Sequence, residues 1–182
     1  MGSHLFAAKH EHINIVLIGM PGSGKSSLGA LLACALNRPL LDTDTLIESS
    51  ENATLQEVLD LRGYDYFLKK EEEVLVSIQC TNHIIATGGS AIYSDLAMNH
   101  LKKSGIVVFL YASLATLRQR ISNYTSRGVA KQSGHSFADL YHQRQQRYNH
   151  YADITIETDD VEPHQLTKQI TCLLYTSLMA RG

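Results

Sequence analysis

Short apolar runs alternate along the chain with longer segments whose apolar residues have helical spacing. The runs are of strand length and lie at residues 13–18, 39–41, 83–86, 106–111 and 154–156. Strands that alternate in this way with helices form parallel sheets covered on both faces, because each connecting helix packs on one face or the other. The pattern therefore predicts an α/β fold with three layers.

Polar signals indicate where the helices begin. Ser or Thr before an apolar periodic segment, often with Glu three residues later, caps the first amide groups of a helix, and proline suits the first helical turn. Such signals occur at Thr45 with Glu48, Thr54 with Glu57, Ser94, Ser113 and Pro163. We expect a helix to begin at each of them.

One long segment has no periodicity. Residues 123–136 are polar, include two glycines and lie between predicted helices at residues 114–121 and 137–149. Loops of this length inside a compact domain are uncommon, and many of them are lids or binding loops. We expect a lid here, and a tolerated surface insertion is the alternative.

The segment from Gly19 to Ser26 has the spacing G-x-x-x-x-G-K-S and follows the first predicted strand. Glycines at these positions let the backbone curl so that successive amides point inward around a phosphate. Lys25 then reaches the outer phosphates of a nucleotide, and the Ser26 hydroxyl can ligate Mg²⁺ at the start of the next helix. A glycine-rich turn that only caps a helix is the alternative. The residues that we expect to bind ATP here are Gly22, Ser23, Gly24, Lys25, Ser26 and Ser27.

Two carboxylates, Asp42 and Asp44, follow the second predicted strand. Residues two apart in an extended chain face the same side, so both can project from the carboxyl edge of the sheet, where open α/β folds bind ligands. One can hold Mg²⁺ through water while the other meets a substrate hydroxyl, and helix capping is the alternative. Gly88 and Gly89 follow the third strand and permit either close approach of a ligand or a simple tight turn.

Five arginines surround the predicted lid. Arg118 and Arg120 precede it, Arg127 lies within it, and Arg144 and Arg147 follow it. Phosphoryl transfer depends mainly on positioning and on neutralising charge, and arginines can supply both. Taken singly, each is typical of a solvated helix face. As a group, they predict a clamp on phosphates.

Composition excludes several classes of function. The 182 residues carry 16 basic and 18 acidic side chains, a net charge of −2, so no overall field favours nucleic acid or an anionic membrane. No apolar stretch is long enough to span a bilayer, and the N-terminus lacks the apolar core of a signal peptide, so we expect a cytoplasmic protein. We expect one domain at residues 13–182 after a disordered lead at residues 1–12.

The cysteines and histidines predict neither a disulfide nor a zinc site. Cys34, Cys80 and Cys172 are far apart and have apolar neighbours in the sequence, which is typical of reduced thiols packed in the core. The nine histidines show no metal-binding spacing.

These motifs, in this order, resemble those of the shikimate kinases, P-loop small-molecule kinases related to the nucleoside monophosphate kinases. The resemblance spans about residues 14–158 and includes the P-loop at residues 19–27, Asp42-Thr43-Asp44 and Thr87-Gly88-Gly89-Ser90. It implies a P-loop NTPase fold with a five-stranded parallel sheet of order 2-3-1-4-5. It also implies transfer of the γ-phosphate of ATP to a ring hydroxyl of shikimate, a step towards the aromatic amino acids.

The resemblance assigns roles to three of the arginines. Arg127 stands where the family has its lid arginine, and Arg120 stands where the family has an arginine that stacks on adenine. Arg144, in the helix after the lid, stands where the family has an arginine that binds the substrate.

The chain departs from the family's pattern at three positions. Leu68 stands where the family has an arginine that binds the shikimate carboxylate, and substitution by Lys69 or Lys70, as a point charge without the planar fork, is the alternative. Ser90 replaces the third glycine of the turn after the third strand, and Gly128 replaces the proline that follows the lid arginine.

We therefore predict a kinase whose lid closes over MgATP and a small hydroxylated acceptor. The predicted catalytic residues are Lys25 for the β/γ-phosphates, Asp44 for the acceptor hydroxyl and Arg127 for developing charge. Ser26 and, through water, Asp42 are predicted to hold Mg²⁺. The predicted acceptor site consists of Asp44, Gly88, Gly89 and Arg144.

Shikimate is the first choice of acceptor. Another small hydroxy acid or sugar acid stays open because of Leu68, and a nucleotide-binding module without turnover is the third possibility. We expect a monomer that has a small-molecule substrate and neither nucleic acid nor a membrane as a partner.

Overall fold

The computed structural model describes residues 12–121 and 136–180. The predicted N-terminal lead lies outside this range except for His12. The predicted lid, including Arg127 and Gly128, also lies outside it except for Ser136.

Five strands form one parallel sheet of order β2-β3-β1-β4-β5. The strands are β1 Asn14–Ile18, β2 Leu40–Asp42, β3 Ile84–Ala86, β4 Gly105–Tyr111 and β5 Ile154–Glu157. Each lies within one residue of the apolar run that predicts it. The α/β fold, the five-stranded sheet and its order are confirmed.

Eight α-helices surround the sheet within the described residues. They are α1 Lys25–Leu36, α2 Thr43–Glu51, α3 Leu55–Arg62, α4 Tyr64–Ser77, α5 Asp95–Ser104, α6 Leu114–Arg120, α7 Phe137–Tyr151 and α8 Pro163–Ala180. A short 3₁₀ turn, Ala91–Tyr93, follows the loop after β3.

The two faces of the sheet belong to two apolar cores. Along β1, Val16 and Ile18 belong to one core, whereas Ile15 and Leu17 belong to the other. The first core includes side chains of α4, α5, α6 and α7, and the second includes side chains of α1 and α8. Both faces of β1 are therefore buried, which explains why its sequence is a continuous apolar run without alternation.

A third apolar cluster lies among α2, α3 and α4, and Ile47, Val58 and Phe67 are buried in it. Leu68 is half-buried and packs against this cluster. The cluster positions α4 beside the carboxyl ends of the central strands.

Most predicted helix starts are confirmed. Thr54 and Glu57 form a capping box, Ser94 and Ser113 cap α5 and α6, and α8 begins at Pro163. The start predicted at Thr45 is wrong. The helix α2 begins two residues earlier, because the Asp42 side chain accepts a hydrogen bond from the Asp44 amide and caps it.

The prediction of core cysteines is also wrong for two of the three. Cys34 and Cys172 are exposed on the outer surfaces of α1 and α8, whereas Cys80 is half-buried against the first core. Apolar neighbours in the sequence do not place a helical residue, because residues adjacent in sequence lie on different faces of a helix. All three are free thiols, as predicted.

Candidate active site

The loop after β1 curls into the cradle that its glycines predict. Gly22 and Gly24 have φ angles of 83° and 96°, in the left-handed region that favours glycine. A Cβ atom on Gly22 would stand 2.6 Å from Cγ1 of Ile121, so any other residue would also clash there. Gly24 then leads into α1, whose first amide groups face the cradle.

Lys25, the first residue of α1, folds back over the loop. Its Nζ donates hydrogen bonds to the carbonyl oxygens of Gly19, at 2.8 Å, and Met20, at 3.0 Å. Burial lowers the pKa of Lys25 to about 8, although the nearby Asp44 carboxylate opposes this shift. The ammonium group is therefore held at the cradle by two neutral carbonyl oxygens. A phosphate, which is negatively charged, could replace them as its hydrogen-bond partner.

Ser26 and Asp42 come together as predicted. The Ser26 hydroxyl donates to Oδ2 of Asp42 at 2.9 Å, while Oδ1 of Asp42 caps α2. The capping role of Asp42 is therefore confirmed, and the same carboxylate also faces the P-loop serine. A hydroxyl and a carboxylate oxygen suit Mg²⁺, which binds few protein oxygens and keeps several waters. Among residues 12–121 and 136–180, no group of three or more His, Cys, Asp or Glu could hold a metal.

Asp44 reaches the site by a different route from the one predicted. Thr43 and Asp44 lie in the first turn of α2, so the argument from alternation along an extended strand does not apply. Burial raises the pKa of Asp44 to about 6, the Lys25 charge opposes the rise, and Asp42 adds to it. The buried Oδ1 atom has no hydrogen-bond partner among the described residues. This arrangement is typical of a carboxylate that acts as a base or binds a ligand.

A cavity of about 540 Å³ extends from the cradle along α8. The described residues that line it are Pro21, Gly22, Ser23, Gly24, Lys25, Ser26, Ser27, Leu28, Asp44, Thr87, Arg120, Thr158, Val161, Pro163 and Leu166. Arg120 donates to the Thr158 hydroxyl at 3.1 Å and to the Thr158 carbonyl oxygen at 2.7 Å. All six predicted P-loop residues and Arg120 thus border one cavity, whose volume fits a small cofactor or ligand.

A second group of predicted residues meets beside Asp44. The amide of Gly88 donates to the Thr43 hydroxyl at 3.1 Å, which ties the turn after β3 to the start of α2. A Cβ atom on Gly88 would stand 2.9 Å from Oδ1 of Asp44, and one on Gly89 would stand 2.9 Å from Nη1 of Arg144. The two glycines therefore allow close approach of charged side chains, and not only a tight turn.

Arg144 is 1% exposed, although it lies on a helix whose sequence is mainly polar. Its Nε donates to the Tyr93 hydroxyl at 3.2 Å, and its guanidinium lies 5.2 Å from the centre of the Tyr93 ring. Tyr148 lies one turn further along α7, and its hydroxyl donates to the Gly89 carbonyl oxygen at 2.7 Å. The sequence did not indicate either tyrosine, because tyrosines of this kind have no distinctive spacing.

The other two described arginines near the lid do not join a clamp. Arg147 is exposed, stacks on the outer side of the site against Tyr93 and donates to the Ile92 carbonyl oxygen at 3.3 Å. Arg118 is exposed on α6. Of the four described arginines, Arg120 borders the P-loop cavity and Arg144 lies against the turn at Gly89, whereas Arg127 lies outside the described residues.

Glu71 is a site residue that the sequence analysis missed. It lies on α4, is 2% exposed, and its Oε2 accepts a hydrogen bond from the Ser90 hydroxyl at 2.6 Å. Burial raises its pKa from an ordinary 4.5 to about 7, with Asp44 adding to the rise and Arg144 and Lys25 opposing it. The sequence gave no indication that Glu71 belongs to the site, because runs of glutamate such as residues 71–73 are usually solvated.

Glu71→Gln should change how stability depends on pH. The folded pKa of Glu71 lies above its unfolded value, so the wild-type protein loses stability as pH rises from about 4.5 to about 7, and the loss is complete above that. Glutamine does not titrate. As the pH rises from 5 to 8, we therefore expect the unfolding free energy of Glu71→Gln, measured relative to that of the wild type, to increase by about 2–3 kcal/mol. Urea unfolding of the ligand-free proteins at both pH values measures this, and a constant difference would contradict the prediction.

Comparisons with known proteins agree with this geometry. The family model for shikimate kinase matches residues 21–174. The shikimate kinase of Sulfurihydrogenibium sp. is 34% identical over 158 residues, which cover 86% of this chain and 95% of that protein. The shikimate kinase of Clostridium botulinum is 37% identical over 150 residues, which cover 80% of this chain and 88% of that protein.

Solved structures show the same relationship. The shikimate kinase from Acinetobacter baumannii in complex with shikimate has a TM-score of 0.84 and 31% sequence identity, and the match covers 94% of this chain and 98% of that one. The thymidylate kinase from Candida albicans shares the fold at a TM-score of 0.60, 15% identity and coverage of 92% of each chain. In the part of the chain that the structure describes, no helix is both long and apolar enough to cross a membrane. The family model and the identity over most of the chain lead to one conclusion: the chain belongs to the shikimate kinase family.

Proposed function

We propose that this chain transfers the γ-phosphate of ATP to a ring hydroxyl of shikimate. The observation that carries the proposal is the position of Asp44, which lies between the cavity of the P-loop and the turn at Gly88 and Gly89. A carboxylate at this boundary can reach a hydroxyl on one side and face the nucleotide phosphates on the other. The family and the solved complex of a relative with shikimate support the choice of acceptor.

The described residues divide the reaction between them. Lys25 exchanges its two carbonyl partners for the β- and γ-phosphates and offsets their charge. Asp44 binds the acceptor hydroxyl and takes its proton as the hydroxyl oxygen forms its bond to the γ-phosphorus, while the bond from that phosphorus to ADP breaks. Its pKa of about 6 leaves it mostly ionised near neutral pH, as a base must be.

Magnesium and the lid complete the proposed site. Ser26 and Asp42, which lie within hydrogen-bond distance of each other, would hold Mg²⁺, and the bound ion would offset phosphate charge. We propose that Arg120, which borders the cavity and whose guanidinium is fixed by Thr158, contacts the adenine. We propose that Arg127, which is outside the described residues, closes with the lid and offsets the charge that develops during transfer.

Arg144 is proposed to bind the shikimate carboxylate. It is buried next to Gly89, and the Tyr93 ring and hydroxyl orient its guanidinium. A charge-assisted and bidentate contact to a carboxylate is the strongest that this side chain can make. Leu68 supplies no second cation, so Arg144 carries more of this binding here than the family's pattern implies.

The proposed function is tested by coupled measurement of ADP release with MgATP and a panel of acceptors. We expect turnover with shikimate, and slower or no turnover with other hydroxy acids and sugar acids. Faster turnover of another acid would overturn the choice of shikimate. ATP binding without turnover of any acceptor would show a nucleotide-binding module instead.

Arg144→Lys should raise the KM for shikimate by about 10- to 100-fold and change kcat much less, because a lysine keeps the charge and loses the planar fork. The methyl ester of shikimate has no carboxylate charge. It therefore tests whether Arg144 acts by binding that carboxylate or only by packing within the protein. We expect the ester to be used about equally by the wild type and the variant. An equal loss with both acceptors would show that Arg144 only supports the structure. The matched control is Arg118→Lys, at an exposed arginine on α6.

We also propose that the chain acts as a cytoplasmic monomer. The P-loop residues, Asp44 and Arg120 of a single chain line one cavity, which supports a monomer. Size-exclusion chromatography with light scattering tests the oligomeric state, and a stable dimer would contradict it.

A further inference from the structure

Tyr93, the last residue of the 3₁₀ turn after β3, contacts three residues of α7. Its hydroxyl accepts a hydrogen bond from Nε of Arg144 at 3.2 Å and donates one to Oε1 of Gln143 at 3.2 Å. Two guanidinium groups lie against its ring, at 5.2 Å from the ring centre for Arg144 and 5.4 Å for Arg147. Both ends of the tyrosine side chain are therefore committed to the helix that carries Arg144.

The side of Tyr93 that faces α4 is packed less closely. A cavity of about 130 Å³ lies between α4 and the 3₁₀ turn, and Tyr93, Leu68 and Leu75 are among the residues that line it. Side chains beside a cavity lose packing contacts on that side, so the cavity does little to fix the ring. We therefore attribute the position of the ring mainly to its contacts with α7.

Arg147 supports Tyr93 from outside the site. Its Nη1 donates to the Ile92 carbonyl oxygen at 3.3 Å and lies 3.9 Å from Oδ1 of Asp95. One guanidinium thus contacts the residue before Tyr93, the Tyr93 ring and the start of α5. The exposed ion pair contributes little by itself. Together, the three contacts fasten the turn that carries Tyr93 to α7.

The orientation of Arg144 matters because its guanidinium is the proposed partner of the acceptor carboxylate. A planar fork makes two parallel hydrogen bonds to a carboxylate only when its plane is aligned with that carboxylate. Tyr93 holds Nε, and Nη1 lies so close to Gly89 that a Cβ atom there would stand 2.9 Å away. A side chain that is already ordered loses little entropy on binding. This preorganisation matters more here because Leu68 supplies no second cation.

We propose that Tyr93 and Arg147 are positioning residues that orient the Arg144 guanidinium for a carboxylate, and that Arg147 acts from outside the site through the Tyr93 ring. The inference rests on the proposed function, in which the acceptor carries a carboxylate. Neither residue touches the acceptor or the nucleotide in this proposal. Their loss therefore weakens binding of the carboxylate and leaves the transfer of the phosphate nearly unchanged.

Four variants separate the contacts that hold Arg144. Tyr93→Phe removes only the hydroxyl, and Tyr93→Leu removes the ring as well. Arg147→Met removes the outer charge and keeps a long side chain, whereas Arg147→Lys keeps a cation beside the ring. The matched controls are Arg118→Met and Tyr175→Leu, at exposed positions of α6 and α8.

The position of Arg144 is measured without any ligand. The NMR signal of its Nε–H group, assigned by its absence from Arg144→Lys, reports the contact with Tyr93. Circular dichroism checks the fold. Calorimetry gives the Kd for shikimate and for its methyl ester, and coupled assays give KM and kcat.

For shikimate, we expect Tyr93→Leu to raise Kd and KM by about 10- to 100-fold and Arg147→Met by about 2- to 5-fold, with a much smaller change in kcat. Tyr93→Phe should give an intermediate increase, and Arg147→Lys a smaller one than Arg147→Met. The Nε–H signal of Arg144 should shift in Tyr93→Phe, Tyr93→Leu and Arg147→Met. The Kd for the methyl ester should stay the same in every variant, because the ester has no carboxylate charge for Arg144 to bind. The two controls should match the wild type.

An unchanged Kd for shikimate in folded Tyr93→Leu or Arg147→Met would overturn the proposal, and so would an unchanged Arg144 signal. Equal losses for shikimate and its methyl ester would also overturn it, because Tyr93 would then shape the site without acting through Arg144. Turnover by the wild type is judged separately. If the wild type binds shikimate without turning it over, the proposed function fails, while calorimetry and NMR still decide the roles of Tyr93 and Arg147. If the wild type binds neither compound, both proposals fail.

Discussion

Lys25→Met is expected to lower kcat for phosphoryl transfer by at least about 10²- to 10³-fold, the range observed when one preorganised donor to a transition state is removed. Lys25 is the charged side chain of the cradle, and its ammonium group is held at the P-loop by two carbonyl oxygens. Methionine keeps the apolar length of the side chain, so the packing of α1 should survive. The coupled assay at saturating ATP and shikimate measures the effect.

Stability provides the check on Lys25→Met. Because burial lowers the pKa of Lys25 to about 8, the charge is already disfavoured in the folded protein, and its removal should leave the melting temperature unchanged or higher. Lys168→Met, at an exposed lysine on α8, is the matched control and should retain full activity. Normal turnover by folded Lys25→Met would exclude the proposed role of Lys25 in phosphoryl transfer.

Asp44→Asn is expected to lower kcat by about 10²- to 10⁴-fold, since asparagine binds a hydroxyl but does not take its proton. The KM for shikimate should change much less, because the amide oxygen of asparagine can still accept the hydrogen bond that the acceptor hydroxyl is proposed to donate to Asp44. Single-turnover measurement at saturating MgATP separates the chemical step from product release.

Asp60→Asn, at an exposed carboxylate on α3, serves as the control for Asp44→Asn. A loss confined to KM would make Asp44 a binding residue and exclude its role as the base.

Local signals in the sequence were sufficient for the strands, the helices and the α/β class, whereas the order of the strands in the sheet followed from the resemblance to the family. The run at residues 13–18 is apolar without alternation, which is expected of a central parallel strand, and β1 lies there with both faces buried. The spacing from Gly19 to Ser26 likewise predicted the curled loop, in which Gly22 and Gly24 have positive φ angles. In each case, a few consecutive residues contain the physical requirement for the structure.

Local arguments failed where the backbone conformation was misjudged. Asp44 was expected to face the same side as Asp42 along a strand, but a helix begins at Thr43 and brings Asp44 to the site from its first turn. Cys34 and Cys172 have apolar neighbours in the sequence and yet are exposed, because a helix turns adjacent residues to different faces. In the first case Asp44 still borders the P-loop cavity, although the geometric reason given for its position was wrong.

By itself, the sequence determined the order of strands and helices, the phosphate cradle and the set of residue types at the carboxyl edge of the sheet. The tertiary structure alone decided that Glu71 faces Asp44 across Gly88, that Tyr93 orients Arg144, and that Arg147 lies outside the site. These contacts join residues far apart in the chain, and packing of the helices on the sheet sets which of their faces is buried. A buried glutamate and an exposed one have the same letter in a sequence, and only the packed fold distinguishes them.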